Sequence, residues 1–79
     1  MRDTGKRFEL DLDGGTAFAD YRRDAAAISI LHVETPPELR GKGAAAKLMQ
    51  EVANFAKSEN IKIIPICSYA AAWLQRHSQ

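Results

Sequence analysis

The sequence predicts an α+β fold in which antiparallel strands are followed by a β-α-β unit and a C-terminal helix. Three observations support this: apolar residues alternate with period two in the first third of the chain, they recur with helical period over residues 44–58, and a β-branched run over residues 61–66 precedes a second helical segment. A parallel strand after a helix implies a right-handed crossover. At 79 residues the chain has room for one domain, expected to span residues 1–79.

The first third of the chain predicts two strands joined by a hairpin turn. Residues 1–5 are expected to form a frayed tail, and strict alternation begins at Arg7. Gly14-Gly15 supplies the positive φ angles that a two-residue hairpin needs, so the second strand is expected over residues 16–23. The apolar residues on one face of these strands are Phe8, Leu10, Leu12, Ala17, Ala19 and Tyr21.

A third strand is expected over residues 26–35, after a turn at Asp24-Ala25. Its apolar residues fall on both faces, which predicts a central strand that is covered on both sides. Pro36-Pro37 ends this strand, because proline lacks the amide donor that a strand ladder requires.

The second half of the chain predicts a helix, a strand and another helix. Residues 44–58 form the amphipathic helix, and Asn60 is expected to stop it. Residues 61–66 are expected to form a strand that is buried on both faces. Ser68 is expected to cap a last helix over residues 69–77.

The composition argues against several classes of function. The 11 basic residues nearly cancel the 10 acidic ones, and a net charge of +1 argues against general nucleic-acid binding. One cysteine excludes an intramolecular disulfide, and together with two histidines it excludes the usual zinc-finger frameworks, so no metal is expected. No apolar run reaches the length of a membrane span, and the N-terminus does not read as a secretory signal. We therefore expect a cytoplasmic protein without membrane association.

The loop between the third strand and the first helix carries the clearest functional signal. Its sequence is Arg40-Gly41-Lys42-Gly43-Ala44-Ala45. Free amides and the helix dipole make such a junction an anion site, glycines let the backbone approach a phosphate, and basic side chains add positive charge. The other reading is a tight turn with solvated basic residues. The loop is not a nucleotide P-loop, because no Lys-Ser or Lys-Thr follows the glycines, and it lacks the third glycine of the dinucleotide fingerprint.

This loop resembles the Arg/Gln-x-x-Gly-x-Gly/Ala signature of the GNAT superfamily of N-acetyltransferases. The resemblance covers residues 8–77 and includes two motifs: His-x-Glu-x-Pro-Pro-Glu-Leu-Arg-Gly-x-Gly over residues 32–43, and Ile-Pro-x-Cys-Ser-Tyr over residues 64–69. The second motif is narrower, and through it the chain is similar to the small single-domain branch often called YjdJ-type. The resemblance implies a minimal GNAT-like fold.

The resemblance also implies an activity, namely transfer of an acetyl group from acetyl-CoA to an amine by direct attack in a ternary complex. The loop would bind the pyrophosphate, and the third and last strands would separate after Ile30 to admit the pantetheine. Backbone N–H groups near residues 31–33 would polarise the thioester carbonyl. The implied cofactor-binding residues are His32, Val33, Arg40, Gly41, Lys42, Gly43, Ala44, Ala45, Cys67 and Tyr69.

Glu34 is the first of three candidate catalytic residues. It lies two positions from His32 on one strand, so the two side chains share a face, and a carboxylate or imidazole beside the thioester would accept the proton of the attacking amine. A solvated glutamate at the strand end is the other reading. The same spacing puts His32 on the face of Ile28 and Ile30, which favours a packing role for the histidine.

Cys67 and Tyr69 are the other two candidates. The dipole of the last helix favours a thiolate at its start, so Cys67 either takes the acetyl group covalently or lines the acetyl pocket; an inert buried cysteine is the third reading. The resemblance implies that Tyr69 protonates the departing CoA thiolate, and an aromatic packed against the cofactor is the alternative. Trp73 is expected in the core and His77 at an exposed helix end.

No motif identifies the acceptor amine. Tight turns at Gly14-Gly15 and Asp24-Ala25 leave no room for helices between the early strands, so the acceptor side is expected to be open. An open side suits a protein or peptide amine, or a wall from a second subunit of a protein otherwise expected to be a monomer or weak dimer. Two other functions stay open: an acyl-CoA-binding or sensing module without efficient turnover, and a small interaction domain with an empty loop.

Overall fold

A mixed five-stranded sheet carries two helices in the computed structural model, which describes residues 1–77. The strands follow one another across the sheet in chain order; the first four are antiparallel and the last pair is parallel. The predicted α+β fold with a β-α-β unit is confirmed. The elements are β1 Arg2–Asp3, β2 Arg7–Leu12, β3 Gly15–Arg23, β4 Ala27–Glu34, α1 Ala44–Ser58, β5 Lys62–Pro65 and α2 Ser68–His77.

Both helices cover the same face of the sheet. Strand residues at alternating positions form one buried cluster with residues of α1 and α2, so the core is a single layer between sheet and helices. Within residues 1–77 neither helix is long and apolar enough to cross a membrane. The largest fully buried side chains of this core are Phe8, Ile28, Ile30, Leu48, Met49 and Val52.

The opposite side of the sheet, here called the open face, is not covered by either helix. The predictions that β4 and β5 are covered on both faces are therefore wrong. Leu31, Ile64 and Ile66 are 37%, 38% and 62% exposed. An apolar run does not distinguish a strand packed on two faces from one packed on one face, because the decision depends on where the helices lie. The open face carries Arg7, Glu9, Phe18, Asp20, Arg22, His32 and Glu34.

A β-bulge at Leu31 reverses the side-chain alternation within β4. Asp20 pairs with His32 and Tyr21 pairs with Ile30, so Leu31 is an extra residue without its own partner. The bulge moves His32 to the open face, away from Ile30. The prediction that His32 shares a face with Ile28 and Ile30 is wrong for this reason, because one extra residue inverts every later position.

The N-terminal residues form an edge strand, so the prediction of a frayed tail over residues 1–5 is wrong. β1 pairs antiparallel with β2, and the Arg2 guanidinium donates to Glu9 at 2.9 Å and also to Asp11. These bonds to Arg2 lower the pKa of Asp11 to about 2. The Tyr21 hydroxyl donates to Asp3, and burial together with this bond raises the pKa of Tyr21 to about 12.

The two early turns are tight, as expected, but the first differs by one residue from the prediction. Leu12 pairs with Gly15, so Asp13-Gly14 forms the two-residue hairpin loop and Gly15 opens β3. At the second turn the Asp24 carboxylate accepts the amides of both Ala26 and Ala27 at 2.8 Å.

Backbone conformation and hydrogen bonds at the helix ends explain where α1 ends and α2 begins. Asn60 has φ 55°, and the Ile61 amide donates to the Ala56 carbonyl at 2.9 Å, so α1 ends as predicted in a left-handed residue. The prediction that Ser68 caps α2 is wrong. Ser68 is the first helical residue, because the Cys67 carbonyl accepts the Ala71 amide at 3.0 Å and so starts the helical pattern one residue earlier.

We predict that Gly15→Ala destabilises the protein more than Gly5→Ala. A Cβ atom at Gly15 would lie 2.7 Å from Cγ of Pro36, whereas a Cβ atom at Gly5 would meet open space. Both glycines have positive φ, so both variants carry a backbone cost, and the close contact adds a further steric cost of about 1–3 kcal/mol at Gly15 alone. Urea unfolding of both variants measures it, and equal free energies of unfolding would contradict the contact.

Candidate functional site

The loop that leads into α1 places two glycines in left-handed backbone conformations. Gly41 has φ 79° and Gly43 has φ 77°, and a Cβ atom at either position would meet nothing within 4 Å. Gly43 is the N-cap of α1, and its carbonyl accepts the Lys47 amide at 2.9 Å. The glycines are therefore required by the backbone and not by crowding within the chain, and their outer side is open to a ligand.

The first turn of α1 offers backbone amides to that open side. No side chain within residues 1–77 caps this turn, and no acidic residue lies in it. The helix dipole and uncapped N–H groups together favour an anion at such a terminus. Arg40 and Lys42 are exposed beside it, and Ala44 and Ala45 add little bulk. Residues 40–43 thus lie together on one anion-compatible surface, whereas the predicted Ala44 is buried in the core and Ala45 is partly buried.

Leu39 anchors this loop on the β2–β3 hairpin. It is buried in a short 3₁₀ turn, Pro37–Leu39, and a Cβ atom at Gly14 would lie 3.1 Å from Leu39 Cδ2. The sequence pattern predicts no role for Leu39 in the site. Its only signal was that it is the one large apolar residue in an otherwise polar loop.

The ladder between β4 and β5 ends before β4 itself ends. Its last pair is Ile30 with Pro65, and the amides of Ile66 and Cys67 both donate to the Ile30 carbonyl at 3.0 and 2.9 Å. Beyond this point, residues 32–34 of β4 pair with β3, and within the described chain no residue of the stretch 31–34 pairs with β5. The edge of β4 that faces β5 is therefore unpaired over residues 31–34, at the same carboxyl end of β4 that leads into the loop. This unpaired edge is here called the β4 gap.

Cys67 and Tyr69 lie at the junction between β5 and α2. Both are partly buried and pack against the core shared by the two helices. The Cys67 carbonyl is the N-cap acceptor of α2, and its amide is held by Ile30. Within residues 1–77 no side chain forms a hydrogen bond with the thiol of Cys67 or with the phenol of Tyr69.

His32 and Glu34 meet on the open face. Nε2 of His32 lies 2.9 Å from Oε1 of Glu34, and the two side chains are 54% and 52% exposed. The predicted shared face is confirmed for this pair. Phe18 neighbours the His32 ring, with centroids 6.3 Å apart, and the Arg7 guanidinium lies 3.8 Å above the Phe18 ring.

The far end of α2 is held by an aromatic stack. Trp73 is buried in the core, as predicted, and the exposed His77 ring stacks on it at 4.1 Å between centroids. Nδ1 of His77 donates to the Trp73 carbonyl at 2.8 Å. Among residues 1–77 no three His, Cys, Asp or Glu side chains are grouped so that they could hold a metal ion.

Comparison with known protein families assigns the chain. A family model described as GCN5-related N-acetyl-transferase matches residues 7–79. The chain belongs to the GCN5-related N-acetyltransferase family. No curated protein matches it. The resemblance to GNAT proteins is thereby confirmed, and the mixed sheet with two helices is a minimal form of the family fold, while the YjdJ-type branch stays a prediction.

Membership in the family indicates the general type of reaction. Members are in general acyl-CoA-dependent acetyltransferases, and acetyl-CoA binding is typical of them. In this chain the candidate residues divide between two surfaces. His32, Glu34 and the loop residues 40–43 are exposed. Ala44 is buried in the core and Ala45 is partly buried. Val33, Cys67 and Tyr69 are partly buried against the helix-covered core.

We predict that Gly43→Asp lowers the affinity for acetyl-CoA by about a hundredfold or more, because a carboxylate would enter the surface that the helix amides offer to phosphate. The matched control is Gly5→Asp, which adds the same charge at a glycine that also has positive φ and open surroundings. Titration calorimetry measures both. Near wild-type affinity of Gly43→Asp would show that the loop is only a turn.

Proposed function

We propose that this chain is an acetyl-CoA-dependent N-acetyltransferase that transfers acetyl to an amine by direct attack in a ternary complex. The observation that carries the proposal is the position of the gap. The unpaired part of β4, residues 31–34, opens next to the glycine loop at one end of the sheet. A phosphate-compatible surface and an unpaired strand edge are thus adjacent, which is the arrangement that a long thioester cofactor requires.

The loop is proposed to hold the cofactor through its pyrophosphate. The uncapped amides of the first turn of α1 and the open space beside Gly41 and Gly43 fit an anionic group, and Arg40 and Lys42 add charge-assisted bonds. When bound, acetyl-CoA supplies the thioester that the amine attacks. The pantetheine arm is proposed to run along the unpaired edge of β4 after Ile30.

Three groups of this chain are proposed to act on the reaction. Backbone amides within residues 31–33 polarise the thioester carbonyl. Glu34, oriented by its bond with His32, accepts the proton of the ammonium directly or through water. Tyr69, in the first turn of α2, protonates the departing thiolate. The exposure of Glu34 supports its access to an amine that arrives from the open face.

Cys67 is proposed to line the acetyl pocket. It packs partly buried at the start of α2, and within residues 1–77 no basic side chain forms a hydrogen bond with it. A nucleophilic cysteine is normally activated by an adjacent base or a cation, so this environment supports direct transfer over transfer through the thiol.

A second candidate function is an acyl-CoA-binding or sensing module without efficient turnover. The observation that favours it is that the acceptor side of the sheet is uncovered. The turns after β2 and β3 are short, so within the described chain no helix stands between the early strands to form a wall. If the chain is an acetyltransferase, the same uncovered side would be occupied by a protein or peptide amine, or by a second subunit.

We predict that acetyl-CoA stabilises the fold. At one hundred times its dissociation constant the ligand adds about 2.7 kcal/mol to the free energy of unfolding, because it binds only the folded chain. A thermal melt with and without the ligand measures the shift, with Gly43→Asp as the variant that shows none. An unchanged melting temperature at millimolar ligand would refute the proposal. Release of CoA over a panel of amines then separates the enzyme from the binding module.

We predict that Cys67→Ala keeps most of the turnover. Only packing in the acetyl pocket is lost, so the rate falls by at most about tenfold. If Cys67 instead carries the acetyl group, turnover falls by orders of magnitude and the wild-type protein gains a labile acetyl mass.

The mass alone does not decide between the two routes, because a thiol beside a thioester becomes acetylated slowly in a side reaction. The deciding measurement is the acetylation rate of Cys67 against steady-state turnover. An intermediate forms at least as fast as product. Acetylation at that speed together with an inactive Cys67→Ala variant would overturn direct transfer.

A further inference from the structure

A second polar surface lies at the opposite end of the β3–β4 pair from the glycine loop. It is a cleft of about 590 Å³ between the β1–β2 turn, the end of β3 and the bulge of β4. That volume is in the range typical of sites for small molecules. None of its lining residues belongs to the glycine loop. The side chains that matter here are Lys6, Asp20, Arg22, Arg23 and Leu31.

The cleft carries uncompensated positive charge. Its one carboxylate, Asp20, is already bound by Arg7, with Nε to Oδ1 at 2.6 Å. Arg23 lies 3.8 Å from a Glu59 oxygen. Lys6 and Arg22 are exposed, and neither forms an ion pair with any residue in the described part of the chain. Two cations therefore face this cleft without a partner.

The position of the cleft along β4 relates it to the proposed reaction. Arg22 pairs with Ser29, which precedes the point where the β4–β5 ladder ends, whereas the glycine loop follows the carboxyl end of β4. Leu31, the first residue of the unpaired stretch, also lines the cleft. The cleft thus includes the first residue of the stretch 31–34 of β4, and the glycine loop follows the last residue of that stretch.

We propose that this cleft binds an anionic oxygen group of the acceptor, so that the acceptor is a small amine carrying a carboxylate or phosphate on the same molecule. The inference rests on the proposed acetyl transfer and narrows its substrate class. Arg22 presents a planar fork that matches either anion, and Lys6 adds a point charge. Leu31 contacts the carbon chain between the anion and the amine.

The test compares paired acceptors that differ only in the anion. A series of ω-amino carboxylic acids of increasing length is assayed beside the primary amide of each acid, and phosphoethanolamine beside ethanolamine. CoA release gives kcat/KM for each. The expected result is a preference of about tenfold for an anionic member of at least one pair, which decreases at high salt because the contact is exposed. The pair with the largest ratio identifies carboxylate or phosphate and the spacing to the amine.

Two variants assign the preference to the cleft. Arg22→Gln is expected to remove it by lowering kcat/KM for the anionic acceptor alone, and Arg22→Lys to restore part of it, because lysine keeps the charge without the fork. Arg76→Gln, at an exposed arginine in the last turn of α2, is the matched control and leaves the preference unchanged. Calorimetry with acetyl-CoA, run on every variant, is expected to give wild-type affinity.

Each outcome decides one of the two claims. If turnover occurs but the acid and amide members react equally, or the preference survives Arg22→Gln, the acceptor inference is overturned and the proposed function stands. If acetyl-CoA binds but no amine of the panel reacts, the inference is likewise overturned and the binding module is favoured. If acetyl-CoA does not bind, the proposed function fails, and the inference fails with it.

Discussion

The Ile30 carbonyl is the point on which the site depends, because it ends the parallel ladder. Its oxygen accepts hydrogen bonds from the amides of both Ile66 and Cys67. Beyond these two hydrogen bonds the chain no longer pairs with β4. Pro65 has no amide to donate, so the amides of Ile66 and Cys67 make the last hydrogen bonds of the pairing. The start of α2 and the unpaired edge of β4 both follow from this closure. The end of the pairing thus coincides with a change in backbone hydrogen bonding at Ile30.

The bulge at Leu31 adds a second effect one residue later. It brings Glu34 and His32 to the open face while Ile28 and Ile30 remain under the helices. Without the extra residue, strict alternation would point the histidine and the carboxylate into the core, where burying a polar or charged side chain is costly. One strand can therefore contribute to both the core and an exposed acid–base pair.

The parts predicted from the sequence are those with local causes. The period of α1, the left-handed Asn60 and the loop glycines depend on neighbouring residues, and each lies where the sequence indicates. The bulge and the one-sided burial of β5 depend on contacts between distant elements. Leu31 is apolar like its neighbours, so nothing in the local pattern distinguishes it. The N-terminal strand was missed for the same reason, since its partners for Arg2 lie on β2.

The two edge strands of the sheet bear on whether molecules of this chain can pair edge to edge. One edge strand is β1, only two residues long and held by a charged side chain; the other is β5, four residues with Lys62 at one end and Pro65 at the other. Short length, a lysine and a proline each discourage a neighbouring molecule from adding its own strand. The open face can therefore remain accessible to solutes, while the two edge strands disfavour aggregation by edge-to-edge strand pairing.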